Sequence, residues 1–176
     1  MSFNRSLPTA CIVTLALLSA VCGANEVRER DRNARGTSRA ASGSLEPCKL
    51  LTDAQVRTVL PDLADSSDMS TGNSLVKTIQ SYQCSHVSTN GAGLLIVIVN
   101  IASTQDSFES LKGSSEPPDG ARKVDIGDAA WVFPDEAKLE VVVLKGRAVI
   151  HLDTKDATQK SRELVELARI VAGKVG

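Results

Sequence analysis

Apolar residues fall along this chain in three rhythms. Near the amino terminus they are nearly continuous, from Ala10 to Val21. In the middle they alternate with polar residues or form short β-branched runs, as strands do. At the carboxyl end Leu164, Leu167, Ala168, Val171 and Val175 recur at spacings of 3, 1, 3 and 4, which gathers them on one face of a helix. Lys160, Arg162, Glu163, Glu166 and Arg169 fall mostly off that stripe.

The elements between follow from local signals. Thr52-Asp53-Ala54-Gln55 has the form of a capping box, with Leu51 and Val56 placed for a hydrophobic staple. It predicts a helix from about Asp53 to Leu60, stopped by Pro61, with Leu51, Ala54, Val59 and Leu60 on its buried side. Residues 61–74, rich in Asp, Ser, Thr and Gly, read as a surface loop. Ser81 to Ser88 alternates as a strand, and the Leu/Ile/Val run from Leu94 to Ile101 reads as a central one. Asn90-Gly91 makes the two a hairpin. Ser103-Thr104-Gln105-Asp106 opens a short helix with Phe108 and Leu111 on one face and Gly113 as its carboxyl cap. Three further strands are predicted: about 122–126 or on through 133, then 138–144, then 147–152, the last two joined at Lys145-Gly146. The expected fold is α+β, a single domain with a mainly antiparallel sheet of about five strands and helices packed on one face.

The amino terminus carries a different message. Arg5 precedes an apolar run of 12 residues, short of the roughly 20 a membrane-spanning helix needs. Ser19-Ala20-Val21-Cys22-Gly23-Ala24 then supplies small residues, so residues 1–24 read as a secretory signal peptide. Two processing routes are open. Cys22-Gly23-Ala24 suits ordinary cleavage before Asn25, while Leu17-Leu18-Ser19-Ala20-Val21-Cys22 is similar to a lipobox and would make Cys22 a lipidated membrane tether. In residues 25–44, five Arg stand among three acidic residues with almost nothing to bury, so a disordered basic linker is expected there. The domain is placed at 45–176 and holds 14 Lys/Arg against 18 Asp/Glu. Such a mildly acidic domain is a poor partner for nucleic acid, whose phosphates call for cations.

Candidate chemistry is sparse. Cys48 and Cys84 are the two cysteines of the domain, and in an exported chain they are expected to form a disulfide. Cys48, Cys84 and His86 lack the spacing of a metal site, so no metal and no cofactor is expected. No Gly-x-Ser-x-Gly elbow or Gly-x-Gly-x-x-Gly loop is present, and no catalytic residue is assigned. Gly127-Asp128 reads as a strand-to-strand turn, although Asp128 could serve as a base. His151 lies on a predicted strand as a packing or surface residue. Trp131 and Phe133, two of only five aromatic residues, share a face at strand spacing. They form either core or the lip of an apolar ligand groove.

Pro47-Cys48-Lys49-Leu50-Leu51-Thr52 with Val56, Tyr82-Gln83-Cys84, Ile126-Gly127-Asp128-Ala129-Ala130-Trp131 and the Leu164/Leu167-Ala168 helix together resemble small bacterial lipoproteins and secreted proteins classed as domains of unknown function. The resemblance implies an exported α+β domain with a Cys–Cys bridge and no established chemistry. Two function classes follow. The first is a non-enzymatic envelope or secreted binding module that engages a protein, a lipid or a surface polymer through its sheet. The alternative is an enzyme or inhibitor whose site is assembled from scattered residues such as His86, Asp128 and His151. Convergence of those three in one pocket separates the classes.

Overall fold

The computed structural model describes residues 45–68, 77–117, 119–134, 138–155 and 160–176. The expected signal, Cys22 and the basic linker lie outside them. A 3₁₀ turn at Pro47–Lys49 leads into α1 (Asp53–Val56), then β1 (Leu63–Asp68), β2 (Ile79–Ser88), β3 (Leu94–Ala102) and α2 (Gln105–Ser114). β4 (Arg122–Val124), β5 (Ala129–Pro134), β6 (Lys138–Lys145), β7 (Ala148–Lys155) and α3 (Ser161–Lys174) complete the order. Every strand pairing is antiparallel, in one sheet of order β1-β2-β3-β7-β6-β5-β4.

The fold is α+β, as expected, but the sheet has seven strands rather than about five. Both additions have local causes. β1 runs through a segment that composition assigns to a loop. As an edge strand it pairs only with β2, so Ala64, Asp65 and Ser67 can remain exposed while Leu63 is buried. The span from 122 to 133 is split in two because Gly127 takes φ +60 and breaks the ladder before Asp128. The hairpin between β6 and β7 turns on Gly146-Arg147, one residue later than Lys145-Gly146, because Lys145 is still paired with Ala148.

The helices also depart from expectation, since they occupy both faces of the sheet. On one face Leu95, Val97, Val99, Ile150, Leu152, Val141, Val143 and Val132 meet Leu164, Leu167, Ala168 and Val171 of α3, with Leu50, Leu51, Val56, Val59 and Leu60 closing the rest. These buried residues are aliphatic throughout, which matches the scarcity of rings in the sequence. Alternation along the strands sends Val142, Leu144 and Val149 to the opposite face. There Phe108 and Leu111 of α2 cover them together with Ala129, Trp131 and Phe133.

α1 carries the full capping box: Thr52 N–H donates to Gln55 Oε1 at 2.8 Å, and Gln55 N–H to Thr52 Oγ1 at 3.3 Å. It is shorter than the sequence suggests. Bonds from Thr58 N–H to Gln55 O and from Val59 N–H to Val56 O tighten the chain into turns before Pro61. Ala54, expected on its buried side, is exposed. Gly113 lies inside α2, which is capped at its start by Thr104, accepting from Ser107 N–H at 3.3 Å.

Candidate functional site

The described residues cover the second sheet face only in part. Beyond the carboxyl end of α2 lies a cleft of about 430 Å³, bounded by Ser114, Ser115 and the connection to β4. Phe133, Lys138, Glu140, Val142 and His151 line it from the sheet. Strand register explains the gathering: Phe133 lies opposite Glu140, and Val142 opposite His151. Glu140 and His151 are therefore diagonal neighbours on one face, within reach of long side chains.

These polar side chains bond one another. Glu140 Oε1 lies 3.0 Å from His151 Nδ1, and Glu140 Oε2 accepts from Lys138 Nζ at 3.2 Å. The His151 bond, with help from Lys138, holds the Glu140 carboxyl below its ordinary range despite the opposing effect of burial. Glu140 is thus an anion at neutral pH. Asp153, its cross-strand neighbour, is pushed up, chiefly by burial and also by Glu140, while Lys138, His151 and Lys155 pull the other way. Nδ1 faces Glu140, which leaves Nε2 as the ring nitrogen of His151 without another partner among the described residues. The cleft therefore offers a ring and a valine beside a fixed carboxylate and an imidazole. The hydroxyls of Ser114 and Ser115 are engaged, each donating to Leu111 O at 2.8 Å. Among the described residues no group of three or more His, Cys, Asp or Glu is placed to hold a metal ion.

The three residues of the scattered-site alternative are not brought together. His86 is 1 % exposed on the α3 side of the sheet, where Ser66 Oγ lies 2.7 Å from its Nδ1. Burial holds its pKa below the usual histidine value, against the pull of Asp53. His151 is on the opposite face. Asp128 sits in the β4–β5 turn, where its Oδ2 accepts from Gly146 N–H at 2.6 Å and its own N–H donates to Leu144 O at 2.8 Å. Gly127 is required beside it, since a Cβ there would lie 2.5 Å from Leu144 O at a positive φ. The Gly-Asp pair thus staples one turn to the tip of the β6–β7 hairpin. Asp128→Ala should cost about 1 kcal/mol in chemical denaturation, with the cleft unaltered.

Phe133 lines the cleft, whereas its partner Trp131 packs in the cluster beneath α2. Lys138 and Glu140 carry no local motif and escape a reading of the sequence in order. The signal that brings them together is the hairpin: a turn at Lys145-Gly146 sets Glu140 opposite His151, and the observed turn at Gly146-Arg147 sets them diagonal. Comparison with protein-family models and with curated proteins finds no match to this sequence.

Proposed function

We propose that this chain is an exported, non-enzymatic binding module of the envelope or of the secreted fraction, and that the cleft beside α2 is its site. The observation that carries the reading is the cleft of about 430 Å³ among the described residues, lined by an aromatic ring and a paired carboxylate and imidazole. That volume falls in the range of small-ligand sites, roughly 300–1,000 Å³. The chemistry favours a sugar unit of an envelope polymer. Such a unit offers a C–H face to Phe133 and Val142, and hydroxyl donors to Glu140 and His151. A lipid tail would take the Glu140–Lys138–His151 cluster out of water without offering it a hydrogen bond, and a folded protein needs a contact broader than this cleft.

Export is part of the proposal. The Cys48–Cys84 bridge suits an oxidising compartment. Residues 1–24 would be the signal, with either lipidation at Cys22 or ordinary cleavage after Ala24. Among the described residues no helix is long and apolar enough to cross a membrane. The resemblance to exported bacterial domains without established chemistry points the same way.

An NMR titration with neutral oligosaccharides tests the site. Shifts should concentrate at Phe133, Val142 and His151, and Glu140→Gln should weaken binding about tenfold or more, the scale of a lost charge-assisted hydrogen bond. Shifts confined to another surface, or an affinity unchanged in Glu140→Gln, would remove the cleft from consideration.

A further inference from the structure

His86 has no part in the cleft, yet it is a buried titratable group held against the disulfide. Its Nε2 lies 3.5 Å from Cys84 Sγ, and its Nδ1 lies 2.7 Å from Ser66 Oγ. We propose that the Cys48–Cys84 bridge is a thiol-exchange site of fixed polarity: an external dithiol attacks Cys48, Cys84 departs, and the His86 imidazole receives the departing thiolate.

Access sets the polarity. Exchange requires the attacking thiolate to reach one sulfur in line with the S–S bond, and the other sulfur leaves with the electron pair. Cys84 is completely buried in β2, whereas Cys48 is half-buried in the 3₁₀ turn that precedes α1. A nucleophile from solvent therefore meets Cys48. Its new bond to Cys48 Sγ forms a mixed disulfide as the Cys48–Cys84 bond breaks, and Cys84 is left as a thiolate.

The two contacts of the ring are consistent with one tautomer. Cys84 Sγ, as a disulfide sulfur, has no hydrogen to donate, so its 3.5 Å contact is a hydrogen bond when the imidazole hydrogen resides on Nε2, and the Ser66 hydroxyl then supports that tautomer by donating to Nδ1. A neutral disulfide sulfur accepts such a bond weakly, and a thiolate accepts it strongly. The interaction grows as the leaving group develops charge, so it lowers the barrier instead of merely stabilising the closed bridge. The second thiol of the reductant then attacks its own sulfur in the mixed disulfide. Cys48 leaves as a thiolate and the oxidised dithiol departs. Two electrons have passed to the protein, and two protons, from the dithiol or the solvent, complete the thiols.

The test uses the full oxidised chain and two probes. With glutathione, whose first step gives a mixed disulfide that early acid quenching traps, peptide mass spectrometry should place the adduct on Cys48 and not on Cys84. With dithiothreitol, reduction should slow about tenfold in His86→Leu, and more mildly in Ser66→Ala, which keeps the imidazole but frees its tautomer. A purely structural His86 gives the opposite sign, because loosening the core around the bridge would speed reduction. Glutathione on Cys84, or reduction of His86→Leu as fast as wild type, overturns the proposal. If His86→Leu fails to fold, the adduct position and the Ser66→Ala rate decide it.

Discussion

Replacing both Cys48 and Cys84 by alanine is expected to destabilise the domain by about 4 kcal/mol. The bridge joins residues 36 apart in sequence with a Cα–Cα distance of 5.0 Å. It thereby removes a large share of the unfolded chain's freedom, and the logarithmic cost of loop closure sets the magnitude. The packing of Leu50, Leu51, Val56, Val59 and Leu60 remains in the variant, but it does not restore a term that belongs to the unfolded chain. α1 is a single turn, and β1 is an edge strand with a mostly exposed surface. Urea unfolding of the oxidised chain and the double variant should show a midpoint lower by about 2 M, from a slope of roughly 1–3 kcal/mol per molar. A shift below about 0.5 M would mean that the amino-terminal elements hold to the sheet by packing alone.

Leu167→Asp is the second large effect. Leu167 is 2 % exposed in the main core, between the aliphatic faces of α3 and the sheet. The substitution removes the packing of a leucine and asks a carboxyl group to lie where it has no partner, together costing about 4 kcal/mol or more. A thermal melt should fall by about 15 °C, at a few degrees per kcal/mol for a domain of this size. Glu166→Ala, one residue earlier on the exposed side, should melt within a degree or two of wild type. Equal melting of Leu167→Asp and wild type would mean that this side of α3 faces water.

The same helix shows where sequence reasoning succeeds. Its stripe residues Leu164, Leu167, Ala168 and Val171 are all buried, as is Val175 just past its end in extended backbone, because one strong amphipathic period over 14 residues has one way to dock. The β2–β3 hairpin was legible for a similar reason, since alternation and a β-branched run flank Asn90-Gly91, and Gly91 takes φ +69 there. β1 was not legible, because Leu-Ala-Asp-Ser-Ser-Asp has an edge strand's burial and so a loop's composition. The face chosen by α2 was also hidden. Phe108 and Leu111 mark a buried side, but only the strand register shows that Val142, Leu144 and Val149 await it on the far side of the sheet. The cleft depends on that register as well. Lys138, Glu140 and His151 are unremarkable along the chain and become a cluster only when β6 and β7 are laid side by side.

The position of the bridge has a mechanical consequence. Tension applied from the amino-terminal side enters the described fold at Leu45 and reaches Cys48 three residues later, where a covalent bond passes it to Cys84 in β2. β2 lies inside the sheet, hydrogen-bonded to β1 on one side and β3 on the other. α1 and β1, which lie between the two cysteines in sequence, are therefore bypassed by that force while the bridge is closed. Opening the bridge would reroute the same pull through them, so that α1 and then β1 peel away residue by residue. The oxidised and reduced forms should then differ most when the chain is stretched, with the closed form yielding only when β2 is torn from its neighbours.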